Sequence, residues 1–167
     1  MSAQHPFLNL HLTKFCFADP SLKHDAKLSY EAMAKKIRTE VFIDEQQVSP
    51  EEEWDGLEAE AHHWLVFDEV SGDFVATCRM RGYQQGCQTP PVAKLERIAV
   101  IKTHRGKGIG RLLILAMLET AKEEGFQSAY LHGQTHARTF YEKLGFEAEG
   151  VAFEEAGIEH IAMRCRL

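Results

Sequence analysis

The amino-acid sequence predicts an α/β fold in which a central mixed sheet of about six to seven strands carries helices on both faces. Three observations lead to this prediction. Short apolar segments with strand spacing alternate with segments whose apolar residues recur at helical spacing. A glycine-rich turn joins a buried strand to a long amphipathic helix. The 167 residues contain no internal repeat or long linker, so we expect a single domain over residues 1–167.

In the first half of the chain, alternation of apolar and polar residues predicts a strand, and apolar positions on one helical face predict a helix. Pro50 opens an acidic segment, and the turn Ser71-Gly72-Asp73 joins two strands into a hairpin. The predicted strand, helix, acidic loop and two hairpin strands are, in order, residues 7–12, 25–42, 51–60, 63–67 and 74–81.

In the second half, residues 82–91 form a predicted loop before the next strand, and a helix runs to Glu124 with Gly125 as its C-terminal cap. Thr135 is predicted to cap the N-terminus of a short helix that ends at Gly145. The predicted strands are residues 94–101, 127–132, 146–153 and 159–165.

Composition excludes several classes of function. The formal net charge of −6 argues against a nucleic-acid-binding protein, which usually presents a basic face. The longest apolar run, Leu112–Leu118, is too short to span a membrane. Neither the nine histidines nor the four cysteines (Cys16, Cys78, Cys87 and Cys165) have metal-ligand spacing, so we expect no metal site. Free thiols and the lack of a signal peptide predict a cytoplasmic protein.

The segment Arg105–Gly110 has the composition of an anion site. It lies between a predicted strand and a helix, whose first N–H groups lack partners within the helix and carry partial positive charge. Glycines allow the backbone to approach phosphate oxygens closely. Arg105, Lys107 and Arg111 add positive charge to an otherwise acidic chain. We therefore predict that this loop binds phosphate groups.

Of three nucleotide-binding patterns, only one fits this loop. The Walker pattern fails because Gly108 follows Lys107, and the dinucleotide fingerprint fails because Arg111 stands where its third glycine belongs. The pattern Arg/Gln-x-x-Gly-x-Gly/Ala, met by Arg105, Gly108 and Gly110, resembles the coenzyme A pyrophosphate loop of the GNAT N-acetyltransferase superfamily.

Further segments extend this resemblance over most of the chain from Arg38 onward. Residues 95–100 (Leu-Glu-Arg-Ile-Ala-Val) resemble the fourth strand of GNAT domains, and residues 137–146 resemble their motif Ala-x-x-Phe-Tyr-x-Lys-x-Gly-Phe. The pattern Arg38-x-x-Val41-Phe42-x-x-Glu45-Gln46 resembles a bacterial subgroup without an assigned substrate. One departure is Gln134, where many family members have Asn.

The resemblance implies a GNAT fold and acetyl-CoA as cosubstrate. It assigns cofactor binding to the fourth strand, the glycine-rich loop and the short helix near the C-terminus. The implied cofactor-binding residues are Ile98, Ala99, Val100, Arg105, Gly106, Lys107, Gly108, Ile109, Gly110, Arg111, Gln134, Ala137, Phe140, Tyr141 and Lys143.

Acetyl transfer from a thioester to an amine needs a neutral amine, a stabilised oxyanion and a proton for the thiolate. The resemblance places the oxyanion donor at the backbone N–H of Ile98, near a strand bulge. Tyr141 is the candidate acid, because a phenol stays protonated at neutral pH. Glu96 is the first candidate base because it shares a strand face with Ile98, and it has a salt bridge as its alternative role. His63 and then Glu45 follow as candidate bases.

The acceptor is expected to be the amine of a small molecule or peptide, and neither nucleic acid nor membrane is an expected partner. Glu45 and Trp54 are candidate substrate-binding residues, although Trp54 could equally anchor the acidic loop, which itself either attracts a cation or is simply solvated. The final strands often mediate dimers in such proteins, so a homodimer is a further expectation. The competing hypothesis is a non-catalytic acyl-CoA-binding or sensing module of the same fold.

Overall fold

A computed structural model describes residues 2–5, 9–17, 19–84 and 90–167, with side chains described from residue 9 onward. Part of the predicted loop 82–91 and Cys87 lie outside the described residues, as do Phe7 and Leu8 of the first predicted strand. The chain is α/β, as predicted. Within the described part it has eight strands, one more than the upper prediction, and the additional strand is Ser2–His5.

The strands are β1 (Ser2–His5), β2 (Leu10–Cys16), β3 (His62–Asp68), β4 (Asp73–Tyr83), β5 (Val92–Val100), β6 (Ser128–Gln134), β7 (Glu147–Glu155) and β8 (Ile158–Arg166). The α-helices are α1 (His24–Arg38), α2 (Pro50–Glu53), α3 (Ile109–Glu123) and α4 (Arg138–Glu142). Short 3₁₀ turns occupy Glu58–Glu60, Lys102–His104 and Thr135–Ala137.

Contacts between residues divide the chain into two compact units, and β4 and β5 contribute residues to both. The first unit comprises Met1–Arg79 and Arg97–Leu113. Its strands follow the order β1-β2-β3-β4, and β2 pairs antiparallel with both β1 and β3. One face of α1 packs on these strands, because Ala34 and Ile37 join Phe15, Leu65 and Ala99 in a buried cluster.

The second unit comprises Met80–Glu96 and Ile114–Leu167. Its strands follow the order β5-β6-β8-β7. β5 and β6 are parallel, whereas β6–β8 and β7–β8 are antiparallel, so the prediction of a mixed sheet is confirmed. Leu131 of β6 and Met163 of β8 are directly paired and almost fully buried, which places the core of this unit between its central strands and its helices.

One helix end and one helix start differ from the prediction. The helix predicted to end at residue 42 ends as α1 at Arg38 and continues as a wider π-type turn over Thr39–Glu45. The segment after Pro50 begins with α2 rather than a loop. Ser49 Oγ accepts a hydrogen bond from the Glu52 N–H and donates one to the Glu52 carboxylate. Ser49 is therefore the N-cap of α2, and the spacing Ser-x-x-Glu is a sequence signal for a helix start.

Two predicted helix ends are confirmed. Gly125 (φ 81°) and Gly145 (φ 89°) take the left-handed conformation that ends a helix. The N–H groups of Phe126 and Phe146 then bond back to Ala121 and Tyr141. The prediction of Thr135 as an N-cap is wrong. The residue before α4 is Ala137, which has no side chain able to cap, while Thr135 donates its hydroxyl to the Glu159 carbonyl at 3.4 Å.

Among the described residues, no helix has both the length and the apolar character needed to cross a membrane. In the same part of the chain, no three His, Cys, Asp or Glu side chains come together as a metal site would need.

Candidate active site

The predicted phosphate loop lies in the first unit and has the backbone that an anion site needs. Gly106 and Gly108 have φ values of 75° and 81°, and no heavy atom lies within 4 Å of a Cβ built on either residue. The loop is exposed from Arg105 to Gly108, and α3 begins at Ile109. The first helical hydrogen bond runs from the Leu112 N–H to the Gly108 carbonyl. The preceding N–H groups at the helix start are therefore available to an anion.

Arg105, the first residue of the loop, is already oriented by its neighbours. Its Nε donates to the Val100 carbonyl at 2.9 Å, and its two terminal nitrogens donate to the Glu45 carboxylate at 2.6 and 2.7 Å. The Arg105 hydrogen bond holds the pKa of Glu45 below its usual value. The structure thus places Glu45, a predicted base and substrate contact, on the guanidinium of the predicted phosphate loop.

A cavity of about 240 Å³ lies beside this loop in the first unit, and its wall includes Asp68, His104 and Lys107. His104 Nε2 lies 3.1 Å from the Asp68 carboxylate, which also accepts the N–H groups of Val70 and Ser71. An ionised carboxylate in the wall disfavours phosphate there. The exposed N–H groups of the loop are the better anion site.

The strand β5 bends at Arg97, which has a φ of 54° in the left-handed region. A non-glycine residue is strained there and needs surrounding contacts to hold it. Arg97 has these contacts, because its guanidinium donates to the carbonyls of Glu52 and Glu53 and lies 3.3 Å from the Asp55 carboxylate. This irregularity directly precedes Ile98, the predicted oxyanion donor, and agrees with the bulge that the resemblance implies.

Three arginines neutralise half of the acidic segment 51–60. Buried Arg38 donates to the carboxylate and carbonyl of buried Glu53, and to Glu58 at 3.0 Å. Buried Arg79 donates to Asp55 at 2.6 and 2.7 Å and to Glu58 at 3.1 Å. Arg97 completes the set. We call the six side chains the arginine network: Arg38, Glu53, Asp55, Glu58, Arg79 and Arg97.

The pKa values of this network show two opposing effects. Burial raises the pKa of Glu53 above its usual value despite Arg38 and Arg97. Burial also acts to raise the pKa of Asp55, but hydrogen bonds from Arg79 and the Leu57 N–H outweigh it and hold that pKa well below its usual range. Trp54 stacks on Arg38, with the guanidinium carbon 4.5 Å from the ring centroid. Its contacts match the anchoring role weighed from the sequence.

His63, the second candidate base, lies in the core of the first unit. Its ring stacks on Phe15 at 5.2 Å and meets Phe17 edge-on, and its Nε2 lies 2.9 Å from the Glu58 carbonyl. Burial lowers its pKa to about 4. A neutral imidazole that already bonds a carbonyl and is 2% exposed is the environment of a structural histidine.

Glu96, the first candidate base, belongs to the second unit and is 9% exposed. Arg81 donates to both of its carboxylate oxygens, at 3.0 and 3.1 Å, and Lys94 Nζ lies 3.1 Å from Oε1. The salt bridge that the sequence left as its alternative role is therefore present. To act as a base, Glu96 would have to give up ion pairs with two cations.

Tyr141 of α4 packs against β6 in the second unit. A Cβ at Gly133 would lie 3.0 Å from two carbon atoms of the Tyr141 ring, so the ring packs closely on the backbone at that position. The ring also meets Phe140 and Phe146 edge-on. Burial raises the pKa of Tyr141 to about 12, so the hydroxyl remains protonated at neutral pH.

The remaining residues predicted to bind the cofactor lie in both units. Ile98 and Val100 are half-buried in β5, and Ala99 is buried in the core of the first unit. In the second unit, Gln134 ends β6, Ala137 precedes α4, Phe140 is 38% exposed on α4, and Lys143 follows α4 at an exposed position.

The sequence analysis missed a hydrogen-bonded group in the second unit. The Tyr130 hydroxyl lies 3.1 Å from His132 Nε2, and His132 Nδ1 lies 2.8 Å from the Glu155 carboxylate. Tyr130 and His132 stand two residues apart, which puts them on one face of a strand, and this spacing was a readable signal. Glu155 could not be identified, because its position depends on the register of β6, β8 and β7.

Similarity to known proteins assigns the chain to a family. Residues 29–146 match the acetyltransferase (GNAT) family model. An uncharacterised N-acetyltransferase, YjcF of Bacillus subtilis, is 38% identical over 129 residues, which cover 76% of this chain and 86% of that protein. An acyl-CoA N-acyltransferase from Pseudomonas aeruginosa, 28% identical, superposes with a TM-score of 0.76 over 93% of this chain and 99% of its own.

A Bacillus anthracis protein solved in complex with acetyl coenzyme A is similar in fold, with a TM-score of 0.54 and 21% identity over 65% of this chain and 63% of its own. The family uses acetyl-CoA, so the predicted cosubstrate is confirmed at the level of the family. The predicted resemblance and fold are confirmed as well. The family match covers well over half of the chain, and the chain belongs to the GNAT acetyltransferase family.

Proposed function

We propose that this protein transfers the acetyl group of acetyl-CoA to the primary amine of a small molecule or peptide by direct attack on the thioester. In this proposal the loop Arg105–Arg111 holds the pyrophosphate, the Ile98 N–H binds the oxyanion and Tyr141 supplies a proton to the thiolate. Family membership supports acetyl transfer. The observation that carries the proposal for this chain is the exposed glycine loop at the start of α3.

Cofactor binding in this proposal follows from the charges and backbone of the loop. The unbonded N–H groups at the start of α3 and the side chains of Lys107 and Arg111 supply hydrogen bonds and positive charge to the pyrophosphate. Arg105 keeps donor N–H groups beyond those used by Glu45 and Val100, because a guanidinium has five. The loop's geometry is therefore suited to a phosphate anion.

The oxyanion would form as the amine adds to the thioester carbonyl. A backbone N–H stabilises it only if the strand presents that group away from the ladder. The left-handed residue Arg97 and its bonds to the carbonyls of Glu52 and Glu53 support such a local irregularity next to Ile98. Removing one donor of this kind typically lowers kcat about 10²–10³-fold.

Tyr141 would act as the thiolate leaves. Its pKa of about 12 keeps the proton in place before reaction. Transfer to a free thiolate with a pKa near 8.5 would be uphill by about 5 kcal/mol. The buried site that raises the pKa of Tyr141 would raise that of a bound thiol too, which reduces the difference. We therefore propose a strong hydrogen bond to the sulfur that becomes proton transfer as the C–S bond breaks.

The base is a separate question. Glu96 is engaged by Arg81 and Lys94, His63 is enclosed in the core, and Glu45 is bound to Arg105. Accepting a proton would cost Glu96 its ion pairs and Glu45 its bonds to Arg105, and His63 would have to leave the core to reach a substrate. A better acceptor for the amine proton is a group that gains an ion pair or hydrogen bond when that group becomes protonated.

The test is an acetyl-CoA assay with a panel of amines, read by mass spectrometry of the products and by release of free thiol. We expect at least one primary amine to gain one acetyl group in an enzyme-dependent way. Acetyl-CoA should also stabilise the fold by about 2.7 kcal/mol at a concentration 100 times its Kd. Stabilisation without any acetylated product would support the non-catalytic acyl-CoA-binding module and contradict the proposed transferase.

A further inference from the structure

In the second unit, β6 presents two different sets of side chains on its two sides. Tyr130 and His132 point to one side and Leu131 and Gly133 to the other, because successive strand residues alternate. The ring of Tyr141 occupies the Gly133 side. The proposed proton donor to the thiolate and the Tyr130–His132 pair therefore lie on opposite sides of the same strand.

The hydrogen bonds of His132 define its proton positions. The Glu155 carboxylate, 2.8 Å from Nδ1, only accepts hydrogen bonds when it is ionised, so Nδ1 carries the proton. The neutral ring then has a lone pair at Nε2, and the Tyr130 hydroxyl at 3.1 Å donates to it. The bond to His132 lowers the pKa of Glu155, so the carboxylate is ionised at neutral pH.

The hydrogen-bonded series Tyr130–His132–Glu155 leads from a buried group to solvent. Tyr130 is 6% exposed, the His132 side chain is 26% exposed and that of Glu155 is 50% exposed. The edge of Phe153 packs on the His132 ring at 4.8 Å, and the ring of Tyr83 stacks on Tyr130 at 6.2 Å. A proton delivered to Tyr130 can therefore reach the surface through an oriented imidazole.

Glu96 lies on the same side of the sheet. Lys94 of β5 is paired with Tyr130 of β6, so Glu96 and His132 each follow two residues later on the same side. The two groups respond oppositely to a proton. A proton on Glu96 would discharge the partner of Arg81 and Lys94. A proton on His132 adds an ion pair to its existing hydrogen bond with the Glu155 carboxylate.

We propose that Tyr130, His132 and Glu155 form the proton-accepting relay for the amine substrate, a proposal that rests on the proposed acetyl transfer. The ammonium N–H bond breaks and its proton bonds to the Tyr130 oxygen, while the Tyr130 O–H proton passes to His132 Nε2. The resulting imidazolium is held by Glu155 and returns the proton to water. The neutral amine then forms the C–N bond as the C–S bond breaks.

The side of the sheet with this relay is accordingly the approach side for a primary ammonium, opposite the Tyr141 side of β6. Charged and titratable groups on neighbouring strands act on Tyr130 or on Glu155 and so enter the pH dependence of the relay. They are Tyr83 of β4, Lys94 of β5, Glu149 of β7, and His160 and Arg164 of β8.

The experiment compares wild type, His132→Gln and Tyr130→Phe in the full chain, with acetyl-CoA and the best amine from the panel, across a pH series. For His132→Gln we expect kcat/KM for the amine to fall about 100-fold at pH 7, as for loss of a general base. The acidic limb of the pH profile should move to higher pH, because bulk solvent must then deprotonate the amine. Tyr130→Phe should behave similarly, with KM for acetyl-CoA unchanged in both.

Two further comparisons separate catalysis from structure. Glu155→Gln should move the acidic limb to lower pH, because the imidazolium loses its carboxylate partner, whereas a structural role would leave the limb in place. In His132→Gln the loss should be larger with an alkylamine of pKa about 10.4 than with an α-amine of pKa about 8. The control is His11→Gln, because His11 is bonded to Glu69 in the first unit and should retain wild-type kinetics.

Wild-type kcat/KM and an unmoved pH profile in His132→Gln, in an enzyme that acetylates the amine, would refute the relay and leave the transferase standing. A wild-type chain that binds acetyl-CoA but acetylates no amine would overturn both proposals. A uniform loss in all variants together with a lower melting temperature would assign these residues a structural role and refute the relay.

Discussion

The arginine network of the first unit and the Tyr130–His132–Glu155 relay of the second unit are both built from hydrogen-bonded charged groups, yet they differ in what they can do. The network joins three guanidiniums, which keep their protons at any physiological pH, to carboxylates that are buried or half-buried. The relay joins a phenol, an imidazole and a half-exposed carboxylate.

The difference shows what separates a structural cluster from a catalytic candidate. It is the presence of groups that can gain or lose a proton near neutral pH, and not the number of charges. A guanidinium can hold Glu53 in the core and support the left-handed residue Arg97, but it cannot take a proton from a substrate. An imidazole with one oriented N–H, and with one lone pair that accepts from the Tyr130 hydroxyl, can. The predictions below test this contrast through stability in the first unit and kinetics in the second.

The largest effect is expected from Arg38→Met. The substitution leaves the buried Glu53 carboxylate and the Glu53 carbonyl without their main donor. Breaking a buried pair on one side typically costs about 3–5 kcal/mol of unfolding free energy, which denaturant titration measures. The matched control on the same helix is Lys35→Met, because Lys35 pairs with Glu31 at the surface and should change stability by less than about 0.5 kcal/mol. Equal stabilities for the two variants would remove the structural role of the network.

The second effect concerns pH and His63. Its pKa is about 4 in the folded state against about 6.5 in the unfolded chain, so between these values only the unfolded state binds the proton. His63 therefore destabilises the fold as pH falls from about 6.5 to about 4, by a total on the order of 3 kcal/mol. His63→Gln keeps a donor for the Glu58 carbonyl and cannot titrate. Its stability should fall less steeply with acidification than that of wild type, and parallel curves would contradict the buried neutral imidazole.

The third effect distinguishes the two tyrosines that lie on opposite sides of β6. Tyr141→Phe keeps the ring against Gly133 and removes the proposed proton donor. We expect kcat to fall about 10²-fold without a shift of the acidic limb, since the amine proton leaves by another route. Affinity for acetyl-CoA should stay the same. A shifted acidic limb with unchanged kcat would instead place Tyr141 on the amine side of the reaction.

Local signals in the sequence predicted much of the fold. Gly125 and Gly145 end their helices as expected because a left-handed residue is a local requirement. The glycine loop was predicted for the same reason. Thr135 was misassigned because its hydroxyl bonds the Glu159 carbonyl of a strand that lies 24 residues later. The N-cap at Ser49 was overlooked although its spacing to Glu52 was visible.

The candidate active site was predictable only in part. Sequence spacing was enough to propose the loop and Tyr141 as site residues, whereas ion pairs depend on partners distant in sequence. Glu53 meets Arg38 and Arg97, which are 15 and 44 residues away, so the acidic segment resembled a free anionic surface. Glu155 reaches His132 across 23 residues through the register of three strands. Such pairings depend on the assembled sheet, and no local sequence pattern predicts them.

The central claim is that the loop at Arg105–Arg111 binds the pyrophosphate of acetyl-CoA, and two glycines allow a direct test by calorimetry. Gly108 and Gly72 have similar φ values of 81° and 72°, and a Cβ on either meets no atom within 4 Å. Valine at either position therefore introduces comparable backbone strain, but only at residue 108 would it stand between the backbone and a phosphate. We predict that Gly108→Val weakens acetyl-CoA binding at least about tenfold, equivalent to about 1.4 kcal/mol, while Gly72→Val binds as wild type does. Wild-type affinity in a folded Gly108→Val protein would contradict the account.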